Sequence, residues 1–216
     1  MQDATHKRTD IRGLGLEDIR LCVGGRVIVS IAASVAPGEV LVVMGPSGAG
    51  KSSLLAYVAG LLSPEFEASG RVLLDGEDVT ALPADRRRIG LLFQDPMLFP
   101  HLSVAGNLLF GLRSSGPDRK ARVEAALASA GLGSFGKRDP ATLSGGEKAR
   151  VALLRLLLSE PRAVLLDEPF SKLDAHLRGE IRRLVLDSIM RQGLPALLVT
   201  HDEEDARAAG GRVIRV

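Results

Sequence analysis

The chain has one cysteine, one tyrosine and no tryptophan. A single thiol, Cys22, cannot close an internal disulfide or build a thiolate zinc site. The sequence therefore suits a reducing compartment, with Cys22 as a small core residue. Beside the tyrosine there are only six phenylalanines, too few for a base-stacking platform along single-stranded nucleic acid. Neither sign of charge is in excess: 28 Lys and Arg face 26 Asp and Glu, for a formal charge of +2. The concentrated basic face of a dedicated nucleic-acid binder is missing, and no nucleic-acid partner is expected. Arg86-Arg87-Arg88 is the only tight basic run and reads as solvated surface. The longest apolar stretch, Leu54 to Leu62, is far too short to span a bilayer, and no secretory leader is visible. There is no internal repeat, low-complexity tract or sustained heptad pattern.

What is present describes a globular protein. In 216 residues, 45% are hydrophobic and 25% charged, which is enough for one large α/β domain or a core with a subdomain. Residues 1–15 read as a loose N-terminus and 16–216 as one folded unit. Val40–Met44, Ala163–Leu166 and Ala196–Val199 are apolar on consecutive residues. That pattern predicts strands covered on both faces, as in a parallel sheet. Each run ends in a glycine-rich or polar segment, and ligands of open α/β sheets sit at the carboxyl ends of strands. Helices are predicted over Lys51–Leu62, Gly145–Ser159 and Asp174–Arg191. With Leu173 just before it, the last carries an apolar stripe of Leu177, Ile181, Leu184, Val185 and Ile189 that reads as core packing. Ile19–Val35 alternates loosely around Gly24-Gly25, the signature of an antiparallel hairpin. Ser103–Leu112 and Arg119–Ala130 read as helices of a separate insert, punctuated by Pro96, Pro100 and Pro117.

Two motifs carry chemistry. Gly45-Pro46-Ser47-Gly48-Ala49-Gly50-Lys51-Ser52 fits G-x-x-x-x-G-K-[ST] between an apolar strand and a helical pattern. Glycines let the backbone curl so that its N–H groups face phosphate oxygens, and the following helix presents its dipole to the same anion. Lys51 adds a full charge between the outer phosphates, and the Ser52 hydroxyl can ligate Mg²⁺. Leu165-Leu166-Asp167-Glu168-Pro169 places two carboxylates at a buried strand end. Asp167 is expected to hold Mg²⁺ through water, and Glu168 to act as general base on the attacking water. Such two-part sites hydrolyse nucleoside triphosphates by positioning and charge neutralisation.

Leu143-Ser144-Gly145-Gly146-Glu147 stands ahead of that acidic pair, and Thr200-His201-Asp202 follows it. With these residues in this order, the chain resembles the ATP-binding subunits of ABC transporters, from about Leu16 to Val216. The middle stretch, Phe93 to Val104, resembles the importer branch, which serves substrates such as ferric iron, thiamine, sulfate, polyamines and sugars. Asp139-Pro140-Ala141-Thr142 resembles a small set of uncharacterised importer ATPases of similar length.

The resemblance implies the ABC ATPase fold: an α/β P-loop NTPase core with a mostly parallel sheet, an antiparallel β subdomain and an inserted helical subdomain. The core and β subdomain would be 16–93 and 160–216, and the helical subdomain about 94–159. It implies ATP and Mg²⁺ as cofactors. Gly45 to Ser53, including Ser47, Gly48, Ala49 and Ser53, would bind nucleotide. Glu168, His201, Gln94 and Lys51 would be catalytic, and Ser52, Gln94 and Asp167 would serve the metal. Ser144, Gly145, Gly146, Glu147 and Asp174 would complete the site of a second copy of the chain, in a head-to-tail homodimer enclosing two ATP molecules. The other implied partners are membrane permease subunits and, indirectly, a substrate-binding protein. The location implied is peripheral, on the cytoplasmic face of the inner membrane. The permease would dock near Met97 to Val104, where Phe93, Phe99 and Phe110 serve either as anchors or as internal packing. An exporter or membrane-remodelling ATPase, or a soluble ABC-type ATPase, are the alternatives.

The chain departs from the family pattern in four places. Leu21 to Arg26 lacks the aromatic that stacks on adenine in many members, leaving Val23 or Arg26 to cover the base. Glu147 replaces the usual glutamine of the signature. Its extra charge near phosphates is unfavourable unless Lys148 or Arg150 offsets it. Ser53 stands where threonine is common. The chain ends at Val216, without the C-terminal regulatory domain of several importer ATPases, so regulation through this chain is not expected.

Overall fold

A computed structural model describes residues 12–216; the expectation of a loose start over 1–11 lies outside them. The chain opens with strands β1 (Leu14–Val23) and β2 (Arg26–Val35), joined at Gly24-Gly25 as the alternation predicts. Leu14 is fully buried, so the strand begins inside the segment assigned to the loose N-terminus. Then follow β3 (Val40–Met44), α1 (Lys51–Ala59), β4 (Phe66–Leu74), β5 (Glu77–Asp78), α2 (Ala84–Arg87) and β6 (Ile89–Leu92). The helical middle holds α3 (Val104–Gly111), α4 (Arg119–Ser129) and α5 (Gly145–Leu158). The chain closes with β7 (Ala163–Asp167), α6 (Ala175–Arg191), β8 (Ala196–Thr200), α7 (Glu203–Ala209) and β9 (Val213–Arg215).

Two sheets result. The antiparallel one runs β2-β1-β4-β5, and the other runs β6-β7-β8-β3-β9 with every neighbouring pair parallel. The consecutive apolar runs explain the second sheet. Leu41 and Val43, Ala163 and Leu165, and Leu197 and Val199 point to one side. There they pack with α1 and the antiparallel sheet. Val42, Val164, Leu166, Ala196 and Leu198 point to the other side, against α5 and α6. A strand buried on both faces has no position left for a polar residue. The α6 stripe packs there as expected, with Ile181, Val185 and Ile189 buried; each such burial contributes about 1.5–3 kcal/mol.

Helices α3, α4 and α5 enclose a third cluster that includes Val104, Leu108, Val123, Leu127, Val151 and Leu154. Helix α5 is the shared wall. Its Val151 and Leu154 face the insert, while Ala152, Leu153 and Leu156 face the parallel sheet. The buried Asn107 stitches the preceding loop. Its side chain accepts from the Phe99 amide and donates to the carbonyls of Phe99, Leu102 and Ser103.

The basic run is not uniformly solvated surface. Arg87 is buried and donates to the carbonyls of Tyr57, Val58, Leu82 and Thr80. At the end of α1 the Gly60 amide already bonds Tyr57 O, and the guanidinium adds a second donor there and one to Val58 O. Burial holds the Arg87 pKa below its ordinary value.

Candidate functional site

The strand order brings three distant segments to one edge. Strands β7, β8 and β3 are neighbours in a parallel sheet, so the residues after Met44, Asp167 and Thr200 leave from the same end. A cavity of about 480 Å³ opens there. It is lined by Ser47, Gly48, Gly50, Lys51, Ser52 and Ser53 after β3, by Asp167 and Glu168 after β7, by Gln94 after β6, and by Val23, Ile28 and Phe66 of the antiparallel sheet.

The loop after β3 owes its course to glycine. Gly48 and Gly50 adopt φ of 84° and 79°, a region that side chains resist. Gly50 is also the N-cap of α1 and supplies no side-chain cap, and the first turn has no acidic residue. The first amides of α1 are thus left for an outside acceptor. Lys51 is buried, and its Nζ donates to the carbonyls of Gly45 and Pro46 at 2.9 and 2.8 Å. The ammonium is held over the loop by its own backbone, a cation fixed beside a cradle of amides.

The carboxylates sit across from it. The Ser52 hydroxyl donates to Asp167 Oδ1 at 3.2 Å. Burial pushes the Asp167 pKa up, with Glu168 adding to the effect while the Ser52 hydroxyl and Lys51 oppose it. A buried carboxylate raised by desolvation is an avid partner for added positive charge. Glu168 takes a left-handed φ of 46°, unusual for a non-glycine residue. Its amide donates to Val199 O on β8, and its carbonyl accepts from the Ser171 amide and hydroxyl. These bonds hold the strained turn, and the side chain lines the cavity, with Oε1 3.1 Å from His201 Nδ1. A carboxylate with one oxygen against an imidazole can take a proton from water bound beside it. The His201 turn is braced behind. Asp202 caps α7 and pairs with Arg178, and the buried Asp205 pairs with Arg182 at 2.7 Å.

Ser144, Gly145, Gly146 and Glu147 do not line this cavity. They form the start of α5, where Ser144 and Gly145 are exposed. Ser144 Oγ accepts from the Glu147 amide, and Glu147 Oε2 accepts from the Ser144 amide, a full capping box. Gly146 is buried, and a Cβ there would lie 2.6 Å from Leu177 of α6, so this glycine serves close packing. Asp174 caps α6 by accepting from the Leu177 amide and also lies outside the cavity lining.

A model of the ABC transporter family matches residues 28–171, about two thirds of the chain. The chain belongs to the ABC transporter family. It is 44% identical over 190 residues to "Fe(3+) ions import ATP-binding protein FbpC 1" of Rhizobium meliloti, covering 87% of this chain and 53% of that protein. It is 42% identical over 202 residues to the Agrobacterium fabrum FbpC, covering 92% of this chain and 56% of the relative. It is 43% identical over 185 residues to the Escherichia coli "Uncharacterized ABC transporter ATP-binding protein YnjD", covering 85% of both. The chain thus spans about half the length of the iron-import relatives. ATP binding belongs to this family's domain, and the α/β fold with its parallel and antiparallel sheets is the fold the sequence resemblance implies.

Within this ABC chain, geometry gathers Gln94, Lys51, Ser52, Ser53, Asp167, Glu168 and His201 at one edge. It sets Ser144, Gly145, Gly146, Glu147 and Asp174 apart. Of the two residues expected to offset the charge of Glu147, Arg150 contributes in small part and Lys148 does not. The Ser144 amide, then the Ser144 hydroxyl, hold its carboxyl below the usual range, with Arg138 and Arg150 contributing less. Arg150 itself pairs with Glu180. Of the two residues expected to cover the base, Val23 lines the cavity and Arg26 does not. The residues missed are Ile28, which lines the cavity from β2, and Phe66, which lines it from β4; the larger of them is Phe66. The cue was its position in a strand paired with the hairpin, and the low alternation of Phe66–Leu74 hides that strand.

Proposed function

We propose that the chain is the ATP-hydrolysing subunit of an ABC-type membrane importer. Carrying this reading is one observation: the carboxyl end of the parallel sheet presents an amide cradle with a buried lysine, a hydroxyl–carboxylate pair and a carboxylate–imidazole pair. Lys51 and the amides of Gly48 to Ser52 would hold the β- and γ-phosphates. Glu168, oriented by its bond to His201, would take the proton of the attacking water, and Gln94 would position that water.

The donor set at Ser52 and Asp167 fits Mg²⁺. Hydroxyl and carboxylate oxygens converge on the cavity, with Ser52 Oγ 3.2 Å from Asp167 Oδ1. Magnesium is commonly held by one or two protein oxygens plus phosphates, and it would neutralise charge that builds on them.

In this reading a second copy supplies Ser144 and the Gly145 amide to the γ-phosphate, and Asp174 with Ser171-Lys172-Leu173 spans the interface. The permease would dock at the groove of about 430 Å³ beside α3, where Phe93, Met97 and Phe110 are exposed. Phe99 is half-buried there, edge-on to Phe110 at 4.6 Å, so it shapes the groove floor instead of projecting from it. Among the described residues no helix is long and apolar enough to cross a membrane, which accords with a peripheral subunit on the cytoplasmic face of the inner membrane. A substrate-binding protein would be the indirect partner. The relatives named for Fe(3+) import favour a metal-ion cargo.

Affinity capture of the chain from detergent-solubilised native membranes, with mass spectrometry of what accompanies it, tests this reading. A multi-span permease in the eluate is expected. Soluble partners or ribosomes alone, with ATPase activity intact, would replace the transporter assignment with a soluble ABC-type ATPase.

A further inference from the structure

The six phenylalanines divide by use. Phe170 is buried in the core and Phe135 packs in the helical insert. Phe93, Phe99 and Phe110 line the groove beside α3. Phe66 joins none of the three apolar clusters, although it is only partly exposed. Its ring lines the phosphate-loop cavity instead.

The cavity has two chemical ends. One is the glycine loop with Lys51 and the carboxylates. The other is Val23, Ile28 and Phe66, apolar throughout. Val23 and Phe66 are direct partners across the antiparallel pair β1–β4, so their side chains stand on one face, about 4.5–5.5 Å apart at Cβ. Ile28 joins the two ends, since a Cβ on Gly50 would lie 3.1 Å from its Cδ1. Phe66 itself is anchored by its amide, which donates to Ser63 O. A triphosphate on the loop sends its sugar and base away from the amides, toward this apolar end.

We infer that Phe66 is the stacking platform for the nucleotide base, with Val23 and Ile28 as its flanks. The aromatic comes from β4, not from the hairpin turn ahead of the phosphate loop. The inference rests on the reading that ATP occupies this cavity. The same lining carries a second consequence. Val23, Ile28 and Phe66 themselves offer no polar side chain to read the edge of the base. Apolar pockets discriminate poorly between ligands of equal shape, so adenine and guanine are held about equally.

Equilibrium binding of Mg-ATP, Mg-GTP and Mg-tripolyphosphate to wild type, Phe66→Ala, Phe66→Leu and Phe66→Trp tests this. Tripolyphosphate keeps the phosphate contacts and lacks the base. Phe66→Ala is expected to weaken ATP and GTP roughly ten-fold or more, the size of a base–aromatic stack, and to leave tripolyphosphate unchanged. Phe66→Leu, which keeps apolar bulk without a π face, is expected to lose most of the same affinity, while Phe66→Trp retains it. Wild-type ATP and GTP affinities are expected within about five-fold of each other. Unchanged ATP affinity in Phe66→Ala and Phe66→Leu, or equal losses for ATP and tripolyphosphate, overturns the platform. A wild-type chain that binds neither ATP nor tripolyphosphate overturns the cavity reading itself, and the platform with it.

Discussion

Two helices of this chain begin with glycine-containing turns, and their first residues are prepared in opposite ways. Helix α1 starts at Gly50, without a side-chain cap or an acid in its first turn, and Lys51 is bonded back onto the loop. Helix α5 starts at Ser144, and Ser144 and Glu147 satisfy each other's amides. Both ends carry the same dipole and the same kind of unpaired N–H groups. One waits for an anion from outside, whereas the other already holds a carboxylate of its own. The difference teaches that the loop before α1 keeps its first amides open within one chain, whereas the start of α5 is closed by its own side chains. In the proposed dimer, a phosphate brought to this capped end would meet the charge of Glu147.

The comparison can be broken in order of size. Glu168→Gln removes the proposed proton acceptor on the α1 side and leaves the loop before α1 unchanged. Turnover is expected to fall about 10²–10⁴-fold with ATP affinity retained, measured by phosphate release beside equilibrium binding. Lys51→Ala removes the fixed cation and is expected to weaken ATP binding by a single chain roughly 10–100-fold, since charge-assisted bonds to phosphate are the strong ones. Ser144→Ala, at the other helix, is expected to leave single-chain ATP binding unchanged and to lower turnover at low protein concentration about ten-fold, through one lost bond and one lost cap. If Ser144→Ala weakened single-chain binding as Lys51→Ala does, the two ends would not be separate. The smallest effect belongs to Glu147→Gln. Glutamine keeps the capping geometry and removes the negative charge, so ATP-driven pairing is expected to tighten about two- to five-fold. Unchanged pairing in a sedimentation titration would show that the charge of Glu147 does not act on the phosphates.

Most of this architecture is legible in the residues. Three short runs with no polar position fit strands buried on both faces, and their polar ends mark where the cavity opens. The α6 stripe and the Gly24-Gly25 turn are equally direct. Short edge elements are not. Strand β9 spans three residues and β6 four, too few for a period to show. Arg87 reads as surface because a run of arginines says nothing about the carbonyls at the end of α1 that one of them bonds from inside. The Ser144–Glu147 spacing is itself that of a capping box, but the family signature draws attention to Ser144 and the glycines as phosphate ligands and away from what Glu147 does locally. Phe66 is hidden for another reason. Its role depends on the Val23 pairing across β1 and β4, a contact between residues far apart in the chain.

The separation of cradle and capped helix is tested most directly by sedimentation of the Glu168→Gln chain, which holds ATP without consuming it. With Mg-ATP it should shift from its nucleotide-free size toward a dimer containing two nucleotides, and the same chain carrying Ser144→Ala should not shift at equal ATP occupancy. A Glu168→Gln chain that binds ATP fully and never pairs, or one that pairs equally well without Ser144, would contradict the account.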